Sequence, residues 1–219
     1  FKGFSPSGRI LKEIGRIAVP SFIMQSLLSI TTMFMNKILS DDIAISVYGV
    51  YFKLQSFIFM PVFGLTNAMI PIVAYNYGAR KKLRITKTIR LAVIIATVIM
   101  TVGTVLFNVY PQLFLELFNA NDKMLSLGIP ALKIISTCFV VTGFSIIICS
   151  VFQALNEAFT SMVISILRQL FLVLPAAFVL KHFFGFPAVW FSIPIAEFIA
   201  CAICVVKYKH LYDSKIKLL

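Results

Sequence analysis

Acidic residues are scarce in this sequence. Eight Asp and Glu stand against 20 Lys and Arg, and charged residues fill only 13% of the 219 positions. Soluble domains carry about 25% charged residues, so a water-facing surface is excluded for most of the chain. Histidine is also rare: His182 and His210 stand alone, too isolated for a metal site or a catalytic dyad. No Ser–His–Asp set, no HExxH and no glycine-rich phosphate loop occurs. Nothing in the pattern argues for an enzyme, a cofactor or a bound metal. The four cysteines (Cys138, Cys149, Cys201, Cys204) all lie inside apolar runs. Cys201 and Cys204 form a C-x-x-C, yet zinc or redox use would need partners and access, so they read as small buried packing residues. The opening FKGFSPSGRILKEIGR lacks a cleavable small-residue site and is no signal peptide.

What the chain has is apolar length. Hydrophobic residues make up 60% of it, in runs of about 20, the length that crosses a bilayer. The expected fold is therefore all-α: a polytopic membrane protein with six transmembrane helices in one compact bundle. The spans fall at about residues 17–39, 43–77, 89–109, 129–153, 158–180 and 186–206. The second is long and expected to break near Pro61. The net charge of +12 would point to nucleic acid only if spread over a solvated face; here it is gathered outside alternate runs. Lys2, Arg9, Lys12 and Arg16, then Arg80, Lys81, Lys82, Arg84, Lys87 and Arg90, then Lys207, Lys209, Lys215 and Lys217 lie on one side. Only Lys37, Lys123 and Lys181 edge the other. Both ends and the basic loop are expected in the cytoplasm, with residues 1–16 as a linker, 17–206 as the bundle and 207–219 as a tail. The connection PQLFLELFNANDK reads as amphipathic and interfacial, with Asn121 or Asp122 capping the helix after it.

Polar residues inside spans carry the most information. Ser21, Gln25, Ser29, Thr32 and Asn36 share one face of the first span. Gly49, Lys53, Ser56, Gly64 and Asn67 line one side of the second, where Gln55 also stands. Cys138, Thr142, Ser145, Cys149 and Gln153 repeat the pattern in the fourth. Such stripes read as walls of a water-accessible cavity, or as packing faces where small and hydroxyl residues let helices approach. Pro61, Gly64 and Pro71 mark a kink in the second span. Arg168 and Glu197 are charges deep in the fifth and sixth spans. At 1.5 Å per residue each lies roughly 15 Å from its end, so an ion pair is geometrically reasonable.

The stretch PVFGLTNAMIPIVAYNYGARKK resembles the end of the eighth helix in the multidrug and toxic compound extrusion (MATE) family. YGVYFKLQSFIFMP before it, then LELFNANDKMLSLGIPALKI, VFQALNEAFTSMVISILRQLFLVLPAAFVL and GFPAVWFSIPIAEFIA after it, resemble further family segments in family order. The resemblance implies one six-helix lobe, the second, of a twelve-helix transporter, with a first lobe as its missing partner. It implies a multi-pass protein of the plasma membrane that exports cationic or amphipathic drugs and dyes against inward flow of Na+ or H+. One branch of the family carries coupling carboxylates on the first and fourth helices of this lobe. Here no Asp or Glu occurs between Pro20 and Asn36 or between Pro130 and Gln153, and Gln25 and Thr142 occupy the inner faces. The coupling ion is therefore expected mainly in the other lobe. A lipid-linked saccharide flippase of the same superfamily is the alternative, disfavoured because its cavity would be richer in arginine and only Arg168 is available deep in a span; a non-transporting scaffold is another, disfavoured by the polar stripes.

Overall fold

The computed structural model describes residues 7–219, all turns and helices with no strand among them. Residues 1–6 of the expected linker lie outside the described residues, as do the side chains of Arg9 and Arg16. Nine α-helices follow in order: α1 Gly8–Leu39, α2 Asp42–Gly78, α3 Lys82–Val109, α4 Pro111–Glu116, α5 Asp122–Ser136, α6 Phe139–Ala154, α7 Ala158–Ile166, α8 Leu174–Phe184 and α9 Ser192–Leu211. A π-helical stretch, Leu167–Val173, joins α7 to α8 without a break, and a 3-10 turn, Phe186–Phe191, leads into α9. Five helices are long and apolar enough to cross a membrane, or six when α5 and α6 are taken as one bent span.

Short turns set the antiparallel order. Ser40 takes a left-handed φ of 56° and its N–H donates to the Asn36 carbonyl, ending α1. The Asp41 carboxylate then accepts from the Ala44 N–H at 2.9 Å and starts α2. The Lys181 ammonium donates to the Ile38 carbonyl and to Ser40 Oγ, pinning this turn to the end of α8. At the opposite, basic end, the α2–α3 turn closes with the Lys81 N–H on the Asn76 carbonyl at 2.9 Å. The left-handed residue there is Arg80, φ 54°. Asn156, φ 61°, makes the α6–α7 turn, a conformation asparagine tolerates better than most residues.

The centre of the bundle is where α2, α3 and α6 meet. Phe139 packs edge-on against Phe59 at 5.3 Å and against Phe107 at 5.5 Å. Close approach of α3 to α2 depends on Gly103, where an added Cβ would lie 2.5 Å from Ile58 Cγ2. Gly143 does the same for α6 on α3, against Met100. Outside this core α1 packs on α7, the π-helical stretch and α8, and touches α2 only slightly.

Two expectations about breaks need correcting. The second span does not break near Pro61: α2 runs through Pro61 and Pro71 as one helix of 37 residues. Each proline removes only one N–H, and the hydrogen bonds on either side keep the helix continuous through both. The break falls in the fourth span instead, which starts at Asp122, seven residues earlier than read, and bends by 50° between Ser136 and Phe139. No proline stands at that bend. Three consecutive side chains make it: Ser136 Oγ, Thr137 Oγ1 and Cys138 Sγ each donate to the carbonyl three residues back, at 3.0, 2.7 and 3.1 Å. Such back-bonding competes with the helical ladder. From α3, Thr104 Oγ1 donates to the Ser136 carbonyl at 3.0 Å and Asn108 Nδ2 to Ser136 Oγ at 2.9 Å, fixing the bent shape.

The connection before it resolves the choice of cap. Residues 111–116 form the short helix α4, and Asn121, rather than Asp122, caps α5, its side chain accepting from the Met124 N–H at 2.9 Å. At the other terminus the helix continues past residue 206 to Leu211 and then as a π-helical turn to Ile216. Lys215 reaches back to the Glu157 carboxylate at 2.6 Å and the Leu155 carbonyl at 3.2 Å, and Ile216 is fully buried. The final residues are packed onto the α6–α7 turn.

Candidate functional site

The polar faces of the first two spans open outward from the lobe. On α1, Gln25 and Ser29 are exposed, with Thr32 and Asn36 half-buried further along the same face. On α2, Gly49, Lys53, Ser56, Gly64 and Asn67 are all exposed, with Pro61 and Pro71 beside them and Gln55 half-buried. An added Cβ at Gly49 or Gly64 would meet nothing within 4 Å, so this side of α2 is free of neighbours. The Lys53 ammonium lies 5.8 Å from the Phe118 ring centroid, a cation–π contact at the end of α4 that orients the side chain. Hydroxyls on these faces donate within their own helix, Thr32 Oγ1 to the Leu28 carbonyl and Ser56 Oγ to the Phe52 carbonyl, and Thr32 also meets the Tyr48 hydroxyl of α2. Gln25, Lys53 and Asn67 are the groups with polarity to offer.

The stripe on the fourth span behaves differently. Thr142 and Ser145 are buried, and their hydroxyls donate to the Cys138 and Val141 carbonyls at 2.9 and 3.0 Å. Gln153 Nε2 donates to Ser161 Oγ at 3.3 Å, and Ser161 Oγ donates to the Cys149 carbonyl at 3.2 Å. Thr142 therefore does not line open space. Back-bonded hydroxyls carry no unsatisfied donor into the interior, so this face is free to pack.

Arg168 and Glu197 are brought together. Arg168 Nη1 donates to Glu197 Oε2 at 3.3 Å, the two side chains being 19% and 11% exposed. The π-helical stretch positions two neighbours for two different partners. Arg168 reaches α9, while Gln169 Oε1 accepts from Thr31 Oγ1 of α1 at 3.1 Å. Widened turns of this kind recur at functional sites. Sequence reading missed Thr31, Gln169 and Ser161, although Gln169 beside Arg168 in an apolar run was a visible signal. It also missed Asn76, whose Nδ2 donates to the Ile72 carbonyl at 2.8 Å while Oδ1 stays buried without a hydrogen-bond partner. Among the described residues no group of three or more His, Cys, Asp or Glu could hold a metal ion.

Among the described residues the bundle has five apolar helices of membrane-spanning length, or six spans with α5 and α6 taken as one, and exposed polar residues on its first two helices. The MatE family model matches residues 17–179, and the chain belongs to that family. It is 28% identical over 198 residues to the multidrug export protein MepA of Staphylococcus haemolyticus, covering 90% of this chain and 43% of that protein. MepA of Staphylococcus aureus strain MSSA476 is 26% identical, with 96% of this chain and 47% of the relative covered. The chain thus spans about half the length of the curated relatives it matches. Among solved structures, a multidrug resistance MATE family transporter in an outward-facing conformation superposes at a TM-score of 0.90 and 22% identity, over 100% of this chain and 50% of that one. An inward-facing structure gives 0.86 at 23% identity, over 99% and 51%. Vibrio cholerae VcmN in its bent form gives 0.88 at 20% identity, over 96% and 48%. These likenesses establish the fold of one half of a MATE transporter.

Proposed function

We propose that this chain is the second lobe of a cation-coupled multidrug antiporter, exporting cationic or amphipathic compounds across the plasma membrane by alternating access. The observation that carries the reading is the exposure of Gln25, Ser29, Lys53 and Asn67 on the first two helices. Gln, Asn and Lys facing lipid would be costly, so these groups belong to a wet cavity closed by a first lobe. The coupling Na+ or H+ is held mainly by that lobe, because no carboxylate occurs here between Asp42 and Glu116 or between Asp122 and Glu157. The saccharide flippase reading is weaker still now that Arg168 is tied to Glu197 rather than free for a phosphate.

Two measurements test this. In the full-length protein, Gln25→Leu and Asn67→Leu are expected to lower efflux of a cationic dye several-fold at normal membrane abundance, since neither side chain supports the bundle. Unchanged efflux in both variants would remove these faces from the transport path. For orientation, a cysteine placed among residues 80–87 is expected to react only with thiol reagents that cross the membrane. Labelling by an impermeant reagent from outside would invert the lobe.

A further inference from the structure

We propose that Cys149 and Cys204 form a modifiable dithiol, at which a small oxidant closes an intramolecular disulfide tying the fourth span to the sixth. Their sulfurs lie 3.8 Å apart across the α6–α9 packing, although the residues are 55 positions apart in sequence. The pair is not the C-x-x-C of the sequence: Cys204 turns toward α6, and Cys201, three residues before it, does not share the contact. A disulfide bond measures about 2.05 Å, so the sulfurs need to close by under about 2 Å, within the reach of side-chain rotation and a small helix shift.

The neighbourhood fixes one partner and orders the chemistry. The Cys149 carbonyl is held by the Ser161 hydroxyl at 3.2 Å, and Gln153 donates to that same hydroxyl, so the backbone under Cys149 is tied to α7. Cys204 is fully buried, whereas Cys149 is half-buried and lies five residues before the end of α6, about 8 Å from the α6–α7 turn. Cys149 is the less buried of the two thiols and is therefore the first to react.

With hydrogen peroxide the steps balance. The Cys149 sulfur attacks one peroxide oxygen, the O–O bond breaks, and a sulfenic acid and one water result. The Cys204 sulfur then attacks the sulfenic sulfur, the S–O bond breaks, and a second water leaves with the thiol proton. The two sulfurs together give up two electrons and the peroxide is reduced to water. The product locks α6 to α9 about two turns from Glu197, seven residues before Cys204. The chemistry rests on the thiol geometry alone; only its consequence for transport rests on the proposed export activity.

The test uses purified protein in lipid nanodiscs, oxidised with hydrogen peroxide or diamide, denatured, alkylated with N-ethylmaleimide and weighed intact. Four free cysteines are present before oxidation. Adducts are expected to fall from four to two, with a cross-linked peptide joining Cys149 to Cys204, and to return to four with dithiothreitol. Cys149→Ser and Cys204→Ser should each keep three adducts with or without oxidant. Four adducts after oxidation, a sulfinic acid on Cys149 with no cross-link, or a bond to Cys138 or Cys201 would overturn the site. In membrane vesicles holding the full-length transporter, dye efflux is expected to drop several-fold on oxidation and recover on reduction, while Cys204→Ser is insensitive. Bond formation with unchanged efflux would overturn the claim that locking these two spans matters.

Discussion

Glu197→Leu is expected to cost about 3–5 kcal/mol of stability, because it leaves the Arg168 guanidinium buried without its counter-ion. The effect would read out as loss of folded protein in the membrane and an earlier melting transition of the detergent-solubilised transporter. Arg168→Leu should be comparably damaging for the mirror reason. The informative result is the double change. Arg168→Leu with Glu197→Leu removes both desolvation costs at once, and such apolar replacements of buried pairs are often neutral. The double variant is therefore expected to be more stable than either single one. The charge swap, Glu197→Arg with Arg168→Glu, should likewise recover expression and transport better than either half alone. Glu197→Gln tests the rival role. It keeps an acceptor near Arg168 at 3.3 Å but cannot exchange a proton. If Glu197→Gln is folded and binds drug yet loses ion-driven efflux, the residue is a coupling group and the scaffold role fails. Additive loss in the double variant would also sink the pairing argument.

That these two charges would meet was legible because it needs only run length and the rise of a helix. Arg168 and Glu197 enter from opposite ends of adjacent antiparallel spans, so counting residues placed them at one height. The number of spans was legible for the same reason. Where the fourth span bends was not. Proline advertises a weak point, and Pro61 drew the expectation of a break to α2, yet each proline there removes a single N–H and the helix runs on through both. The true bend depends on Ser136, Thr137 and Cys138 turning their donors back together, and on Thr104 and Asn108 arriving from another helix to meet Ser136. Each residue alone is ordinary in a span. The polar stripes were visible as periodicity, but their direction was not. Packing turned the α6 stripe inward and left those of α1 and α2 facing out. The Cys149–Cys204 contact joins residues with no local signal and became visible only once α6 lay against α9.

Expressed on its own, this chain is expected to insert into the membrane and confer no drug resistance. Insertion follows from its own spans, which are apolar enough to enter a bilayer and turn back at short, well-capped loops. Transport asks for more. The exposed polar groups on α1 and α2 form one wall, and a substrate enclosed by one wall alone would still touch lipid. No carboxylate occurs between Glu13 and Asp41 or between Asp42 and Glu116, and Glu197 is paired within the lobe. A second copy of the same chain would supply another wall of Gln, Asn and Lys and still no group able to take up a proton or a sodium ion at the open faces. The proposed first lobe is what supplies that chemistry. Growth on a cationic dye in an efflux-deficient cell should therefore match the empty vector when this chain is expressed alone, at an abundance verified by immunoblot. Co-expression with the complementary lobe should restore efflux. Resistance from this chain alone would show that two identical lobes make a complete cavity, and the coupling group would then have to be sought at Glu197.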